Sequence, residues 1–413
     1  MRGLKLMVAL MILIGGHGLA ETISDPTKTP PPVKTPPTGT SAQPFTLTAS
    51  YVADVLSNVS GGLSRGASYV DEVKLSAAWD GATSGHDGMS ALISLQHHNG
   101  VRFSGERVGD YQFVSNLEAP PEATRLFEFW VQREVLGGRA GLKAGLVDLN
   151  TTYDVQETGA LFLNSSHGIG AEFGQSGLNG PSTSPTTALA LTGFYRPAKD
   201  WTVQLGVFDG VAGDPEHLKR FVAVQLSTRD GALLIGQVER RFGDAARVEA
   251  GGWLYTADFA ALDQFDAAGA PRRLGGDGGL YALVEGRLLS KPDAEAGLSG
   301  WLRVGVANGD INPVDTYVGG GLVYTGLIKG RDSDEVGVAV ARAGFGGPAR
   351  LAAARAGVRL ASAETDFEVT YRYAFRDWLT IQPDVQYVIH PGADRSVGNA
   401  VVIGVRFSFT ASK

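Results

Sequence analysis

A period-two alternation of apolar and polar residues constrains the fold of this chain more than any other feature. It is clearest near the C-terminal end, in FEVTYRYAF (367–375), LTIQPDVQYVI (379–389) and VVIGVRFSF (401–409). Successive side chains of a β-strand point to opposite faces, so each segment predicts a strand with one aliphatic or aromatic face and one polar face. We therefore expect an all-β fold.

Similar segments recur along most of the chain between turn residues. One begins near Phe45, and the others lie near 67–80, 89–97, 124–135, 139–148, 187–197, 201–209, 219–228, 231–242, 246–256, 279–289, 298–307, 317–326 and 334–344. With the three C-terminal segments they number one more than sixteen. Single-chain bacterial outer-membrane barrels have an even number of strands, so sixteen are predicted, with eighteen as the alternative.

The composition and the spacing of the turns favour a membrane barrel. Only 19% of the 413 residues are charged, 56 are glycine, and no cysteine is present, which excludes disulfides, thiolate catalysis and cysteine-based metal sites. Tight turns at 196–200 and 375–378 contrast with long connections at 99–122, 149–186 and 345–363. Short periplasmic turns and long external loops are typical of a closed antiparallel transmembrane β-barrel.

The N-terminal residues predict export. Arg2 and Lys5 precede a short apolar run that ends in small residues, which is typical of a signal peptide over residues 1–20. A Pro/Thr-rich periplasmic linker is expected over 21–44, followed by an outer-membrane barrel over 45–413. Removal of the leader leaves 34 basic and 43 acidic residues, a balance that does not suggest a nucleic-acid partner.

From about Leu126 to Phe409 the chain resembles the carbohydrate-selective porins of the OprB type. The resemblance is strongest in LFEFWVQREVLGGRAGLKAGLVDLNTTYDVQETGALFLNSSHGIG (126–170), and it continues in GVFDG (206–210), GGW (251–253), TYRYAFRDWLTIQPDVQYVIHPG (370–392) and VVIGVRFSF. It implies a barrel of roughly sixteen strands that lets sugars diffuse passively across the bacterial outer membrane. A homotrimer is an open expectation, and neither a cofactor nor a metal site is expected.

If the apolar faces meet lipid, the opposite faces line the pore. In LFEFWVQRE we expect Phe127, Phe129 and Val131 to face outward. The candidate sugar-binding residues of the pore lining are then Glu128, Trp130, Gln132, Glu249, Trp253, Glu285, Arg287, Trp301 and Arg303. An inward indole can stack on a sugar ring while neighbouring polar groups bind hydroxyls. For Trp130, packing under an infolded loop is an equally good interpretation, and single charges are more often merely solvated.

The stretch ALFLNSSHGIG (160–170) places two serines beside a histidine. One hypothesis is an outer-membrane hydrolase, but a nucleophile and its base normally come from different strands or turns. The stretch lies inside the long 149–186 segment, so we interpret it instead as a constriction loop with neutral hydrogen-bonding groups at Asn164, Ser165, Ser166 and His167. The expected function is that of a saccharide porin, and a general non-selective porin is the alternative.

Overall fold

The computed structural model describes residues 44–227, 229–290 and 296–413. The predicted signal peptide and all but the last residue of the predicted linker lie outside the described residues. The first strand begins at Phe45, where the barrel was expected to start.

Sixteen strands form in the described part of the chain, as the alternation predicts. They are β1 Phe45–Gly62, β2 Gly66–Asp80, β3 Met89–His98, β4 Ala123–Val135, β5 Ala140–Val147, β6 Ala188–Ala198, β7 Trp201–Asp209, β8 Ala232–Phe242, β9 Ala246–Phe265, β10 Pro271–Ser290, β11 Gly297–Ala307, β12 Val314–Thr325, β13 Glu335–Phe345, β14 Ala363–Arg376, β15 Leu379–Ile389 and β16 Gly398–Ser412.

Each strand pairs antiparallel with its neighbours in sequence, and β1 pairs with β16 to close the barrel. At the seam, the amides and carbonyls of Leu47 and Lys413 exchange two hydrogen bonds of 2.8 and 2.9 Å. Closure leaves no sheet edge unpaired, which is the condition for a β-sheet to sit in lipid.

The two faces of the barrel differ as the sequence predicts. Outward side chains such as Leu191, Leu205 and Leu280 are more than half exposed. In β14 the inward residues Glu368 and Thr370 are buried, while the adjacent Phe367 and Val369 are exposed. A large exposed apolar surface of this kind is stable only against lipid or another apolar partner.

The connections are long at one end of the barrel and mostly short at the other. The long ones, 99–122, 148–187, 210–231 and 346–362, lie at the end opposite the two termini of the barrel, and the short ones, 136–139, 199–200, 243–245 and 377–378, lie at the end that carries the termini. This is the asymmetry expected for external loops and periplasmic turns.

Helices occur mainly in the connections at the external end. They are α1 Ala171–Gly174, α2 Gly347–Arg355, a π-turn at Ser104–Val108, and short 3₁₀ segments at Gly81–Ser84, Leu149–Thr151, Gly159–Leu161, Ser165–His167 and Pro391–Ala393. None of the helices in the described ranges is long and apolar enough to cross a bilayer.

Three local expectations were wrong. The segment 219–228 forms no strand in its described residues, because β7 and β8 pair directly through Asp209 and Ala232 and leave no place for it in the sheet. Strands β9 and β10 extend beyond the predicted 246–256 and 279–289, since their outer ends pair only with each other and form a hairpin above the rim.

The third error concerns the inner face of β4. The register between β3 and β4 shifts at Phe127, where an extra residue interrupts the pairing. The bulge turns the Phe127 ring into the barrel, where it is buried under the Lys74 ammonium at 4.6 Å, although the alternation predicted an outward ring. Phe129 and Val131, beyond the bulge, face outward as predicted.

Candidate functional site: an infolded loop and the open wall of the pore

The β5–β6 connection, residues 148–187, folds into the barrel. Its apolar residues Leu149, Tyr153, Leu163 and Phe173 are buried there, and the Tyr153 ring meets Phe208 of β7 edge-on at 6.2 Å. The backbone of such a loop is not paired as in a strand, so its N–H and C=O groups need hydrogen-bond partners from the barrel wall.

A buried arginine of β11 holds two parts of this loop together. The Arg303 guanidinium donates to both carboxylate oxygens of Asp154 at 3.0 and 2.7 Å, and to Glu172 at 2.5 Å. Gly170 and Gly305 allow this approach, because a Cβ at either position would collide with Arg303 or Glu172. All three charged side chains are fully buried, so the ion pairs close the loop against β11.

Two wall glutamates each accept a pair of consecutive loop amides. Glu285 of β10 accepts from Glu157 and Thr158 at 3.1 and 2.7 Å. Glu368 of β14 accepts from Leu163 and Asn164 at 2.6 and 3.1 Å. A carboxylate is a strong acceptor for amides that lack a strand partner, so these two residues hold the descending and returning parts of the loop.

Arg247 of β9 balances the acidic groups near Glu285. It donates to Glu285 at 2.6 Å, to Glu239 at 2.8 Å and to Glu249 at 3.1 Å, and it also binds the carbonyl of Val155 in the loop. Glu249 is therefore paired to an arginine of its own strand, on the inner face as predicted.

Two of the predicted tryptophans lie directly under the loop. Trp253 stacks on Phe173 with ring centroids 5.0 Å apart. Trp301 donates its indole N–H to Gln156 at 2.9 Å and packs against Phe162 at 5.2 Å. The exposed fractions of Trp253 and Trp301 are only 4% and 5%. The loop therefore covers both of these indole rings, which the sequence analysis assigned to the lumen.

The stretch ALFLNSSHGIG is part of the infolded loop. Asn164 accepts the amide of Ser166 at 2.9 Å and donates to Asp366 of β14 at 2.8 Å. The Tyr317 hydroxyl donates to the carbonyl of Ser166 at 2.7 Å. Asn164, Ser166 and His167 are buried, whereas Ser165 is half-buried. The backbone of this stretch is thus fixed on two strands of the wall.

His167 is not arranged as a general base. Both of its ring nitrogens are buried without a hydrogen-bond partner among the described residues, so neither Ser165 nor Ser166 is within reach of them. Burial lowers the pKa of His167 to about 3, and the ring is therefore neutral at physiological pH. The geometry does not support the hydrolase hypothesis at this stretch.

The β3–β4 connection, residues 99–122, also enters the barrel. Ser115 donates to Asp54 of β1 at 2.6 Å, and Arg406 of β16 donates to Asp54 at 2.7 and 2.8 Å and to Asn116 at 2.8 Å. The Asn116 amide donates to the carbonyl of Leu163 at 2.8 Å. The two infolded loops therefore contact each other inside the barrel.

A third part of the inner face, made by β2, β4 and β5, keeps charged groups partly exposed. We call Lys74, Glu128, Trp130, Lys143 and Asp148 the open wall. Lys74 and Glu128 approach to 3.9 Å, the Lys143 ammonium lies 4.5 Å from the Trp130 ring centroid, and the indole N–H donates to Glu128 at 3.2 Å. Lys74, Lys143 and Asp148 are half-buried, so this wall combines accessible charges with an aromatic ring.

Asp148 is the titratable group of the open wall that lies just outside the strands. Burial and the nearby negative charge of Glu128 raise the pKa of Asp148 to about 7. Its charge therefore changes within the physiological pH range.

All nine predicted pore-lining residues lie on the inner face. Glu128, Trp130 and Gln132 belong to β4 on the open-wall side, and Arg287 is exposed near the periplasmic end. Glu249, Trp253, Glu285, Trp301 and Arg303 are buried, and the last four contact the β5–β6 loop. Whether any of the nine binds sugar stays a prediction.

Sequence reasoning missed Lys74 and Glu368 as site residues. Both lie at inward positions of clearly alternating strands, so strand parity alone was sufficient to find them. The role of Asp154 had no comparable signal, because it depends on how an irregular loop folds back onto β11.

A closed antiparallel barrel with an apolar outer surface, a polar inner surface and two infolded loops defines an outer-membrane porin. This fold is that of a channel rather than of an enzyme.

Comparison with known proteins gives the family. The model of the carbohydrate-selective porin, OprB family, matches residues 64–410. Porin B of Pseudomonas aeruginosa is 24% identical over 393 residues, which cover 86% of this chain and 85% of that protein. Because the family model matches most of the chain, the chain belongs to the OprB family of carbohydrate-selective porins and is a protein of the bacterial outer membrane.

Solved structures agree with this fold. The high-pH structure of Pseudomonas putida OprB superposes with a TM-score of 0.78 at 22% identity, covering 89% of this chain and 94% of that one. The outer-membrane channel DcaP of Acinetobacter baumannii gives a TM-score of 0.55 at 7% identity, covering 89% and 97%. The sixteen-strand barrel predicted from the alternation is thus confirmed.

Proposed function

We propose that neutral saccharides cross this porin by passive diffusion along the open wall, between β2, β4 and β5 on one side and the two infolded loops on the other. The proposal rests on inner-face polar atoms of β3 and β4 that are buried without a hydrogen-bond partner. Those next to Lys74 and Glu128 are Ser94 Oγ, Gln96 Oε1 and Glu128 Oε2, the last of which has the Lys74 ammonium at 3.9 Å but accepts no hydrogen bond. His98 and Arg125 carry further atoms of this kind.

Unpaired donors and acceptors side by side suit a polyhydroxylated ligand. A sugar hydroxyl both donates and accepts, so one hydroxyl can satisfy Gln96 Oε1 or Glu128 Oε2 while its oxygen accepts from the Ser94 hydroxyl or the Lys74 ammonium. Opposite charges alternate along the wall, as at Lys74 and Glu128, which gives a transverse field without a large net charge. Such a wall favours a polar, uncharged solute.

Trp130 and Lys143 supply the apolar part of the site. The ring carries the Lys143 ammonium on its face, and the indole is only 2% exposed in this state. A lysine side chain has a flexible stem of four methylene groups and a strongly hydrated ammonium group. A passing sugar ring can therefore replace the ammonium group on the face of the indole. Lys143 then binds a sugar hydroxyl beside Glu128.

The other predicted residues take a positioning role in this proposal. Trp253, Glu285, Trp301 and Arg303 hold the β5–β6 loop, and Asn164, Ser166 and His167 form part of the loop itself. Gln132 and the half-buried Ser165 remain candidate sugar contacts, and Arg287 lies at the periplasmic exit.

Single-channel recording with graded sugar tests the path. Trp130→Ala should weaken the blocking constant for glucose or a disaccharide by about fivefold, because stacking on an indole contributes on the order of 1 kcal/mol. Trp201→Ala is the matched control, since Trp201 lies on the outer face of β7 under Arg240 and should leave the constant unchanged. An unchanged constant in Trp130→Ala would remove this residue from the path.

Liposome swelling separates this proposal from the alternative of a general porin. Liposomes with the purified protein should swell faster in glucose or a disaccharide than in amino acids of similar size. Equal rates would favour the non-selective porin.

The quaternary state stays a prediction. A homotrimer is the proposal that follows from the porin resemblance, and light scattering of the detergent-purified protein measures it directly. A mass of one chain would rule the trimer out.

A further inference from the structure

Three carboxylates meet where the β3–β4 loop touches β14. Asp110 comes from the loop, and Glu364 and Asp366 are neighbouring inward residues of β14. One oxygen from each lies within 4.8 Å of the others, and all three side chains are buried.

Their hydrogen bonds leave two oxygens without a donor. Glu364 accepts the amides of Tyr111 and Gln112 at 2.8 and 3.0 Å, and Asp366 Oδ2 accepts from Asn164 at 2.8 Å. Asp366 Oδ1 and Asp110 Oδ1 have no hydrogen-bond partner, although both are shielded from solvent. A buried carboxylate oxygen without a donor carries a large desolvation cost.

A neutral side chain adds an independent sign of a missing partner. Gln112 is 1% exposed and lies against Glu364, with its amide nitrogen directed to the carbonyl of Ala341 at 3.4 Å. Its Oε1 is buried without a donor. Gln112, whose side-chain amide also donates to Glu364, thus adds a third unpaired oxygen to this buried region, and a cation is one partner that several such oxygens can share.

The local charge points the same way. A fourth carboxylate, Glu118, lies close by and takes the Ser104 hydroxyl at 2.7 Å. That hydroxyl also lies 3.3 Å from Asp110, but its single proton can serve only one of the two. Within the described residues, no arginine, lysine or histidine forms an ion pair with any of these four acidic groups.

We propose that Asp110, Glu364, Asp366 and the carboxamide oxygen of Gln112 bind one divalent cation, and that calcium is the ion that fits. All of the ligands are hard oxygens, and oxygens around one calcium ion lie up to about 5 Å apart because each bond is about 2.4 Å. Magnesium demands a tighter octahedron and keeps more of its own water.

The position gives the ion a structural task. The site joins the β3–β4 loop to β14, and through the bond of Asn164 to Asp366 it also reaches the β5–β6 loop. Glu364 accepts the amide of Gly392 as well, which adds the β15–β16 connection. A bound cation therefore ties both infolded loops to the wall at the external mouth of the pore.

Calorimetric titration of calcium chloride into purified, chelator-treated full-length protein tests the proposal. We expect one site per chain, a thermal unfolding midpoint that rises by several degrees with calcium, and a smaller rise with magnesium chloride. Asp366→Asn should weaken calcium binding at least tenfold and abolish most of the thermal shift.

Asp277→Asn is the control, because Asp277 is also a buried inner-face carboxylate that accepts from an amide, Asn312, but lies on β10 away from the site. It should bind calcium like the wild type. Absence of binding by the wild-type protein would overturn the proposal, and so would equal calcium affinity in the two variants. If the carboxylates are instead simply protonated, Asp366→Asn should stabilise the protein equally with and without calcium, which would also overturn it.

Discussion

Asp148 is the residue whose charge responds to pH in the open wall. It follows β5 directly, and the charges of Glu128, Lys74 and Lys143 act on its carboxylate. Because burial and Glu128 raise its pKa to about 7, Asp148 is mostly ionised at pH 8 and mostly protonated at pH 6. Lowering the pH therefore removes one negative charge from the pore.

We predict that the cation preference of the channel decreases between pH 8 and pH 6, with a midpoint near pH 7. The reversal potential in a potassium chloride gradient measures this preference. Asp148→Asn should keep the low-pH value throughout that range, because the amide does not titrate. A reversal potential with the same pH dependence in the wild type and in Asp148→Asn would show that another group titrates.

The β5–β6 loop folds into the barrel, and Arg303 attaches two parts of it to β11. We expect this loop to narrow the pore. Arg303→Met keeps an unbranched apolar stem but removes the guanidinium, which leaves Asp154 and Glu172 buried without their counter-charge. Breaking a buried ion pair from one side costs about 3–5 kcal/mol, so the loop should detach from β11. We expect a larger and noisier single-channel conductance and a lower unfolding midpoint.

Arg287→Met is the matched control for that experiment. Arg287 lies at an inward position of β10, like Arg303 on β11, but it is exposed near the periplasmic end. It should change the conductance only slightly and leave the unfolding midpoint unaltered. A normal conductance in Arg303→Met would mean that Glu285 and Glu368 suffice to hold the loop.

The strands were predictable from the sequence, but the loops were not. Alternation found β14, β15 and β16, because a lipid-facing side chain and a lumen-facing side chain differ in chemistry at every step. It failed at Phe127, where one inserted residue reverses the parity, and at 219–228, where alternation occurs in an external connection. Local patterns carry no information about strand pairing at such places.

The site was only partly predictable for the same reason. Parity placed Trp253, Trp301 and Arg303 on the inner face, but their contacts are with Phe173, Phe162 and Asp154 of an irregular loop. The sequence of that loop has no regular alternation of apolar and polar residues, and its path depends on contacts with residues far away in sequence. The open wall is the part of the inner face that this loop does not cover, so it could be identified only from the folded barrel.

At the scale of the whole molecule, the asymmetry of the connections predicts which end faces the cell exterior. The long connections lie together at one end, and β1 and β16 bring the two termini of the barrel to the other. Because the chain has no cysteine, a single introduced thiol reports its own location without interference.

Ala354→Cys and Ala245→Cys form a matched pair for this purpose. Both positions are exposed alanines, one on α2 at the external end and the other in the 243–245 turn. A membrane-impermeant maleimide too large for the pore should label Ala354→Cys in intact cells and label Ala245→Cys only after the outer membrane is opened. The reverse pattern would show that the barrel has the opposite orientation. The infolded loops and the proposed calcium site would then lie at the periplasmic mouth.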